Sequence, residues 1–572
     1  MSAVRRGLVA LSIGLGVIVA WAQPAAAHAV LLRSDPSPQA TSPDAPAAVR
    51  LEFSEPVETA FGAVRVYDVD GRRVDRGAVR RAQGGIAVEA PVRSLRDGTY
   101  TVTWRVVSGD AHRITGGFVF YVGAPSTISP AVIEEEGITS RAVGWGFGAV
   151  RFAWFSALIL LIGFAVARRF VWTPAIQTVG LADGPGAAQV RARFGRALVG
   201  AWAVLLASGV ASIVFQGASI SGLSLRDAAA PSVIEQVLDT TYGRAWMVQL
   251  ALAVLALVPL LALTQRRRVI PGRPAVWLTA LGATLVGLAG TAAVSGHART
   301  DSNPLLAEAS LIVHLVAVGC WVGGLTALVL LAGRGWKAIP DERRPGLLRE
   351  LIVRFTKVAL IAVAVVLVTG TINTVMAFAG INDLWETTYG RVVAAKIVLL
   401  LVAVALASRH RRGTPRRLLG EEQARAVRSF ARTSALELGI LTGAIALAAS
   451  LVALVPGRSL ALAEKGPITR EQRAGPYRAQ LLIDPSSVGE NEVHVTYVTE
   501  AGLAAAEVTN ATVRLSSGTG PARTVDMRLI APGHFAGNVT FPVPGKYRFT
   551  ATTPVDGAPA TAQFRFSIAR RG

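Results

Sequence analysis

"RFGRALVGAWAVLLASG" (residues 193–209) and "RFTKVALIAVAVVLVTG" (residues 354–370) are two stretches of one chain that open on Arg-Phe and close on Gly at the same spacing. Between those ends each is almost wholly apolar, too long for a buried strand and too uniform for the surface helix of a soluble domain. The whole chain agrees. Of its 572 residues 52% are hydrophobic and 17% charged, with a mean hydropathy of +0.45, more apolar than a water-soluble multidomain protein requires. Eight runs suffice to cross about 30 Å of hydrocarbon, which takes about 20 helical residues. They lie near 143–167, 196–216, 245–264, 275–294, 308–332, 356–379, 392–408 and 435–456. A second pair of matching segments, "DTTYGR" (239–244) and "ETTYGR" (386–391), each stands just ahead of an apolar run. The runs therefore divide into two four-helix repeats. Four is even, so both halves share one orientation, as in parallel-repeat transporters whose site lies between the halves.

The net charge of +21 does not indicate a nucleic-acid partner, because the basic residues cluster between apolar runs. "TQRRRV" (264–269) and "SRHRRGTPRR" (408–417) are examples, and the linkers after the first, third, fifth and seventh runs are all of this kind. The alternate linkers carry almost no basic residue. The positive-inside rule makes the basic linkers cytoplasmic and sends both terminal segments, 28–142 and 457–572, to the outer side of the cytoplasmic membrane. The only cysteine, Cys320, falls inside an apolar run, so these outer segments hold no disulfide framework.

Residues 1–27 have the three parts of a secretory signal: Arg5 and Arg6, the apolar stretch Gly7 to Trp21, and small residues at Ala25 to Ala27. Within "AQPAAAHAVLLRSDP" (22–36), cleavage after Ala27 makes His28 the first residue of the mature chain. Its free α-amine and imidazole can then close a chelate ring on one metal ion. The alternative is a terminal residue with no role.

Residues 28–123 read as an all-β sandwich of the cupredoxin or immunoglobulin kind, followed by a linker over 124–142. "VRLEFSEPV" (49–57) and "GTYTVTWRVVSGDAHRITGGFVFYV" (98–122) alternate apolar and polar residues between turn residues. Between the last two strands Asp110 and His112 are two apart, so in extended chain they share a face. With the His28 amine and imidazole they supply three nitrogens and an oxygen, a set that suits tetragonal Cu(II) better than zinc, calcium or magnesium.

These residues, with "VSGHA" (294–298) and "VHLVAVGCWVGGL" (313–325), resemble the bacterial copper proteins in which a CopC domain is fused to a CopD membrane domain. The resemblance runs from residue 28 to about 456. It implies Cu(II) ligation by His28, Asp110 and His112, with Glu55 in support, and passage of copper through the membrane domain 143–456 toward the cytoplasm. One departure bears on this. The four methionines, Met1, Met247, Met376 and Met527, form no cluster in the sandwich, so the soft ligands that hold Cu(I) in some CopC proteins are missing there.

His297, at the outer end of the fourth run, and His314, about two turns into the fifth, are the candidates for a path through the membrane, with Lys396 next. Lys396 matches Gln249 of the other repeat and can also snorkel to the surface. Gly323 and Gly324 read as helix-packing residues. Residues 457–572 form a second small β-sandwich that resembles YtkA-like domains; His494 and His534 within it read as surface residues. The partners implied are copper ion, the lipid bilayer, and an extracytoplasmic copper chaperone or reductase. Two other functions stay open: a membrane electron-transfer protein with haem between His297 and His314, and a copper sensor or store that transports nothing. No nucleophile-and-base arrangement and no Walker A motif appears, so neither an enzyme nor an ATP-driven pump is expected.

Overall fold

The structure, a computed structural model, describes residues 29, 31–59, 63–109, 113–123, 141–181, 184–264, 273–296, 303–330, 339–417, 423–452, 454, 456–458, 467–484, 486–499, 505, 507–517, 521–531, 533–555 and 557–568. The chain divides into two compact units, one of residues 1–25 and 139–457 and one of residues 26–138 and 458–572.

Among its described residues the helical unit has eight helices long and apolar enough to cross a membrane: α1 (Ala142–Thr178), α2 (Gly186–Ser221), α3 (Thr241–Thr264), α4 (Pro274–Val294), α5 (Pro304–Leu330), α6 (Asp341–Ala377), α7 (Thr388–Ser408) and α8 (Ser429–Leu451). The repeated TTYGR motifs fold alike. Thr240 and Thr387 each accept the backbone N–H three residues on, from Gly243 at 3.1 Å and Gly390 at 2.9 Å, and so satisfy an orphan donor at the start of α3 and of α7. Each glycine lies hard against the short helix that comes before. A Cβ at Gly243 would collide with the carbonyl of Val237, and one at Gly390 with that of Asp383. The motif is thus a cap plus a close-approach glycine, used twice.

Helix α5 crosses α1 at Gly163 and Gly323, where a Cβ on either glycine would run into the backbone of the other helix. This is the close packing expected of Gly323. Beside it Gly324 faces the ring of Phe355 on α6. Just there α5 widens into one π turn over Gly319–Gly323, which turns Trp321 fully inward. Gly323→Val should therefore force α1 and α5 apart and cost about 1–3 kcal/mol or more. Thermal unfolding in detergent checks this, and an unchanged midpoint would show that the crossing tolerates a side chain.

Among its described residues the second unit forms four antiparallel-rich sheets. From the N-terminal segment come β1 (Leu31–Asp35), β2 (Thr41–Ser42), β3 (Ala48–Phe53), β4 (Val57–Glu58), β5 (Val64–Tyr67), β6 (Arg80–Ala82), β7 (Ala87–Pro91), β8 (Gly98–Ser108) and β9 (Arg113–Val122). They form one sheet in the order β1-β3-β7-β6 and another in the order β2-β9-β8-β4, with β5 also on β8. Strand β3 shows why: Val49, Leu51 and Phe53 are buried in alternation with Ala48, Arg50 and Glu52, so the period-two pattern puts one face in the core.

The C-terminal segment supplies β10 (Ile468–Ala474), β11 (Tyr477–Asp484), β12 (Gly489–Thr499), β13 (Thr512–Ser517), β14 (Arg523–Val525), β15 (Arg528–Ala531), β16 (His534–Phe541), β17 (Gly545–Val555) and β18 (Ala558–Ile568). These make sheets β10-β11-β12-β16-β15 and β14-β13-β17-β18 around a core that includes Tyr497, Phe541, Phe549 and Phe564. The two β segments touch within this unit, where the Thr496 hydroxyl donates to Gln39 Oε1 at 2.9 Å in buried surroundings.

Candidate metal centre and membrane site

The strand register fixes what stands beside the expected Cu(II) ligands. Leu31 pairs with Phe53, and Val57 pairs with Ser108. Glu55 therefore sits midway on the short segment that links β3 to β4 and runs from beside the start of β1 to beside the end of β8. Ala29 is fully buried at that same end, and Glu55 is only 9% exposed. The β8–β9 hairpin is in register up to Val107 and Arg113, and Ser108 at the end of β8 pairs with Val57 beside the Glu55 segment. His28, Asp110 and His112 themselves lie outside the described residues, as does His297.

Of the membrane candidates, His314 and Lys396 are brought together, near enough that the lysine's charge acts on the imidazole. His314 is half-buried on α5, and its Nδ1 lies 2.8 Å from the Thr369 hydroxyl on α6. That hydroxyl donates its own hydrogen to the Val365 carbonyl at 2.7 Å. It can then only accept from the ring, so Nδ1 carries the proton and Nε2 keeps its lone pair. Ser310, one turn earlier on α5, donates to the Thr369 carbonyl at 3.4 Å and ties the same two helices.

Thr369 is the second-last residue of one of the repeated stretches, and nothing in its apolar surroundings marks it out in the sequence. Glu437 was equally hidden. An apolar run begun at residue 435 makes it an end residue, whereas the helix reaches back to Gln423. The glutamate is consequently well inside α8, buried and hydrogen-bonded by the Trp321 indole.

The reading of His494 and His534 as surface residues is overturned: they are 3% and 1% exposed. On β12 Val493, Val495 and Tyr497 fill the core, so alternation assigns His494 and Thr496 to the opposite, outward face. The N-terminal β segment covers that face. Gln39 takes the Thr496 hydroxyl, and the Tyr121 ring lies 5.7 Å from the ring of His534. Because Thr496 pairs with His534 and His494 with Ala536, the two histidines are diagonal neighbours across β12 and β16. His494 Nδ1 and His534 Nε2 stand 2.9 Å apart, and the Glu492 carboxylate lies 3.2 Å from His494 Nε2.

Burial, and then the charge of His494, hold His534 down at about 3, whereas an exposed histidine titrates near 6.5. On acidification the unfolded chain takes up this proton first, so stability is lost as pH falls from about 6.5 toward 3. Each pH unit in that window costs up to about 1.4 kcal/mol. The unfolding midpoint of the metal-free protein should fall between pH 7 and pH 5, and His534→Gln should remove part of that fall. An equal fall in the variant would assign the acid sensitivity to other groups.

Three domain families match this chain. Residues 31–123 match the CopC domain, residues 141–306 the N-terminal domain of copper resistance protein D-like proteins, and residues 349–451 copper resistance protein D. The copper transport protein CutJ of Bacillus subtilis (strain 168) is 28% identical over 387 residues, 67% of this chain and 68% of that protein. Copper resistance protein D of Pseudomonas syringae pv. tomato is 30% identical over 316 residues, 54% of this chain and 96% of its own length. Copper resistance protein C of the same organism is 36% identical over 105 residues, 17% of this chain and 82% of its own length.

Proposed function

The chain belongs to the copper resistance protein C and D family, both parts joined in one polypeptide, and from this we propose that it captures Cu(II) outside the cytoplasmic membrane and imports copper through α1–α8. The observation that supports the reading is that Ala29, Glu55 and the strand ends at Ser108 and Arg113 lie at one end of the sandwich. The His28 amine and imidazole, Asp110 and His112 bind the ion there. Buried Glu55 supplies negative charge and a hydrogen-bond acceptor beside them. Both β segments then face outward, a reading supported by the basic residues clustered in alternate linkers.

In the membrane unit, copper is the cargo. His314 offers Nε2 to the passing ion because Thr369 occupies Nδ1, and His297 stands before it on the path from the outer side. A neutral imidazole binds copper in either oxidation state, and few ligands per step let the ion leave again. Lys396, beside His314, keeps the cation from resting there. An outer copper chaperone or reductase delivers the ion or reduces it.

Cells carrying the gene should accumulate copper several-fold faster than cells without it when copper is supplied outside. Equal accumulation would refute transport and leave capture alone, whereas lower accumulation would reverse the direction.

A further inference from the structure

We propose that His494 and His534 form a second copper site in the β unit, a two-coordinate site for Cu(I) in which the ion takes the place of the proton between the two imidazoles, that proton moving from Nε2 to the open Nδ1 of His534 so that both rings stay neutral. The proposal rests on the copper reading above but uses none of its residues. Tyr121, which packs on His534, is near the end of β9, and Arg113 at its start follows the 110–112 loop. Eight residues of strand at about 3.3 Å each separate them by about 26 Å, so one ion cannot serve both places.

The geometry of the pair is that of two ligands facing one another. The ring centroids are 5.1 Å apart while the nitrogens are 2.9 Å apart, so nearly all of the centroid separation is the gap plus the two ring radii. The nitrogens therefore point almost head-on. A linear two-coordinate ion needs this direction, whereas cis positions around a tetragonal or tetrahedral ion require the lone pairs to converge at an angle.

Second, Glu492 fixes the tautomer. Its carboxylate accepts from His494 Nε2–H, which leaves the Nδ1 lone pair aimed at His534. A carboxylate behind a ligating histidine is the usual support for a metal-bound imidazole. Asp484 adds a second carboxylate near His494, offset in part by Arg33 of β1.

Third, the number of ligands selects the ion. Among the described residues no three His, Cys, Asp or Glu side chains converge on one point. Zn(II) and Cu(II) need three or four protein ligands. Cu(I), with a single charge and a filled shell, is held by two neutral nitrogens. With bonds of about 2 Å to each nitrogen, the rings must part by about 1 Å along the line they already share. His534 is the first residue of β16, directly after Gly533, and lies beside the register shift between Leu529 and Ala531, so its ring is not clamped mid-sheet.

Finally, His534 Nδ1 is buried without a hydrogen-bond partner among the described residues. A pair kept only for structure gains nothing from leaving that nitrogen unpaired.

The test uses the full-length protein in detergent, without oxygen, with Cu(I) offered against a chromophoric Cu(I) chelator. His534→Gln, which keeps size and hydrogen-bonding capacity, should lose one chelator-resistant equivalent of Cu(I). Glu492→Gln should weaken that equivalent by roughly 10- to 100-fold. Neither change should alter the Cu(II) electron paramagnetic resonance spectrum. X-ray absorption of the wild-type Cu(I) form should show a shell of two nitrogens and the strong pre-edge feature of linear coordination. Equal Cu(I) retention by wild type and a folded His534→Gln variant would overturn the site, as would Zn(II) held at the pair in preference to Cu(I). Where His534→Gln fails to fold, absorption decides alone, and a shell of three or more ligands refutes the proposal. Copper accumulation is measured separately, so failure of transport leaves this result readable.

Discussion

A mature chain that begins one residue ahead of His28 should bind Cu(II) on the order of 1,000-fold more weakly, a loss of about 4 kcal/mol. The extra residue turns the His28 amine into an amide nitrogen and carries the free amine out of reach. The imidazole remains, but the chelate ring that made it a two-point ligand is gone. His112→Ala should cause a loss of similar size by removing the third nitrogen, and neither change should unfold the sandwich. The core residues Val49, Leu51, Phe53 and Phe120 are fully buried and are not contributed by the loop. Electron paramagnetic resonance and competition with a Cu(II) chelator read the site directly. Unchanged spectra and affinity in the extended chain would remove the terminal amine from the ligand set. Normal binding by His112→Ala would do the same for the loop.

His314→Ala should bring copper accumulation down to the level of cells without the gene, while Cu(II) binding by the β unit stays intact. Alanine removes the one side-chain nitrogen of Pro304–Val318, and the neighbouring residues on that turn are apolar and cannot replace it. Thr369→Val separates the position of the imidazole from its mere presence. Valine keeps the shape of threonine but cannot accept from Nδ1–H. The proton is then free to move to Nε2 and block the lone pair, so accumulation should fall by roughly 10- to 100-fold, the usual cost of losing a supporting group. His297→Ala should also stop accumulation. Wild-type rates in both histidine variants at equal expression would move the path elsewhere, with Lys396 and Glu437 the next residues to change.

Much of this protein could be read locally. The apolar runs, "TTYGR" twice over and the alternation in "VRLEFSEPV" depend on helix and strand periods that repeat within a few residues. They were enough for eight spans between two β segments and for a close-packed Gly323. Their boundaries were less visible. A helix can run past the end of its apolar stretch, and this moved Glu437 from a helix end to the interior of α8.

Pairing between distant residues was not legible. Thr369 is one more small residue in an apolar helix until His314, 55 positions earlier, donates to it. The histidines of β12 and β16 show the limit most clearly. Alternation along β12 turns His494 away from the core of its own sheets, and for an isolated sandwich that face is wet. What buried it is a surface from more than 350 positions earlier, carrying Gln39 and Tyr121. Periodicity reports which side of a strand faces its own core; only the packing of whole sheets decides whether the other side meets water or protein.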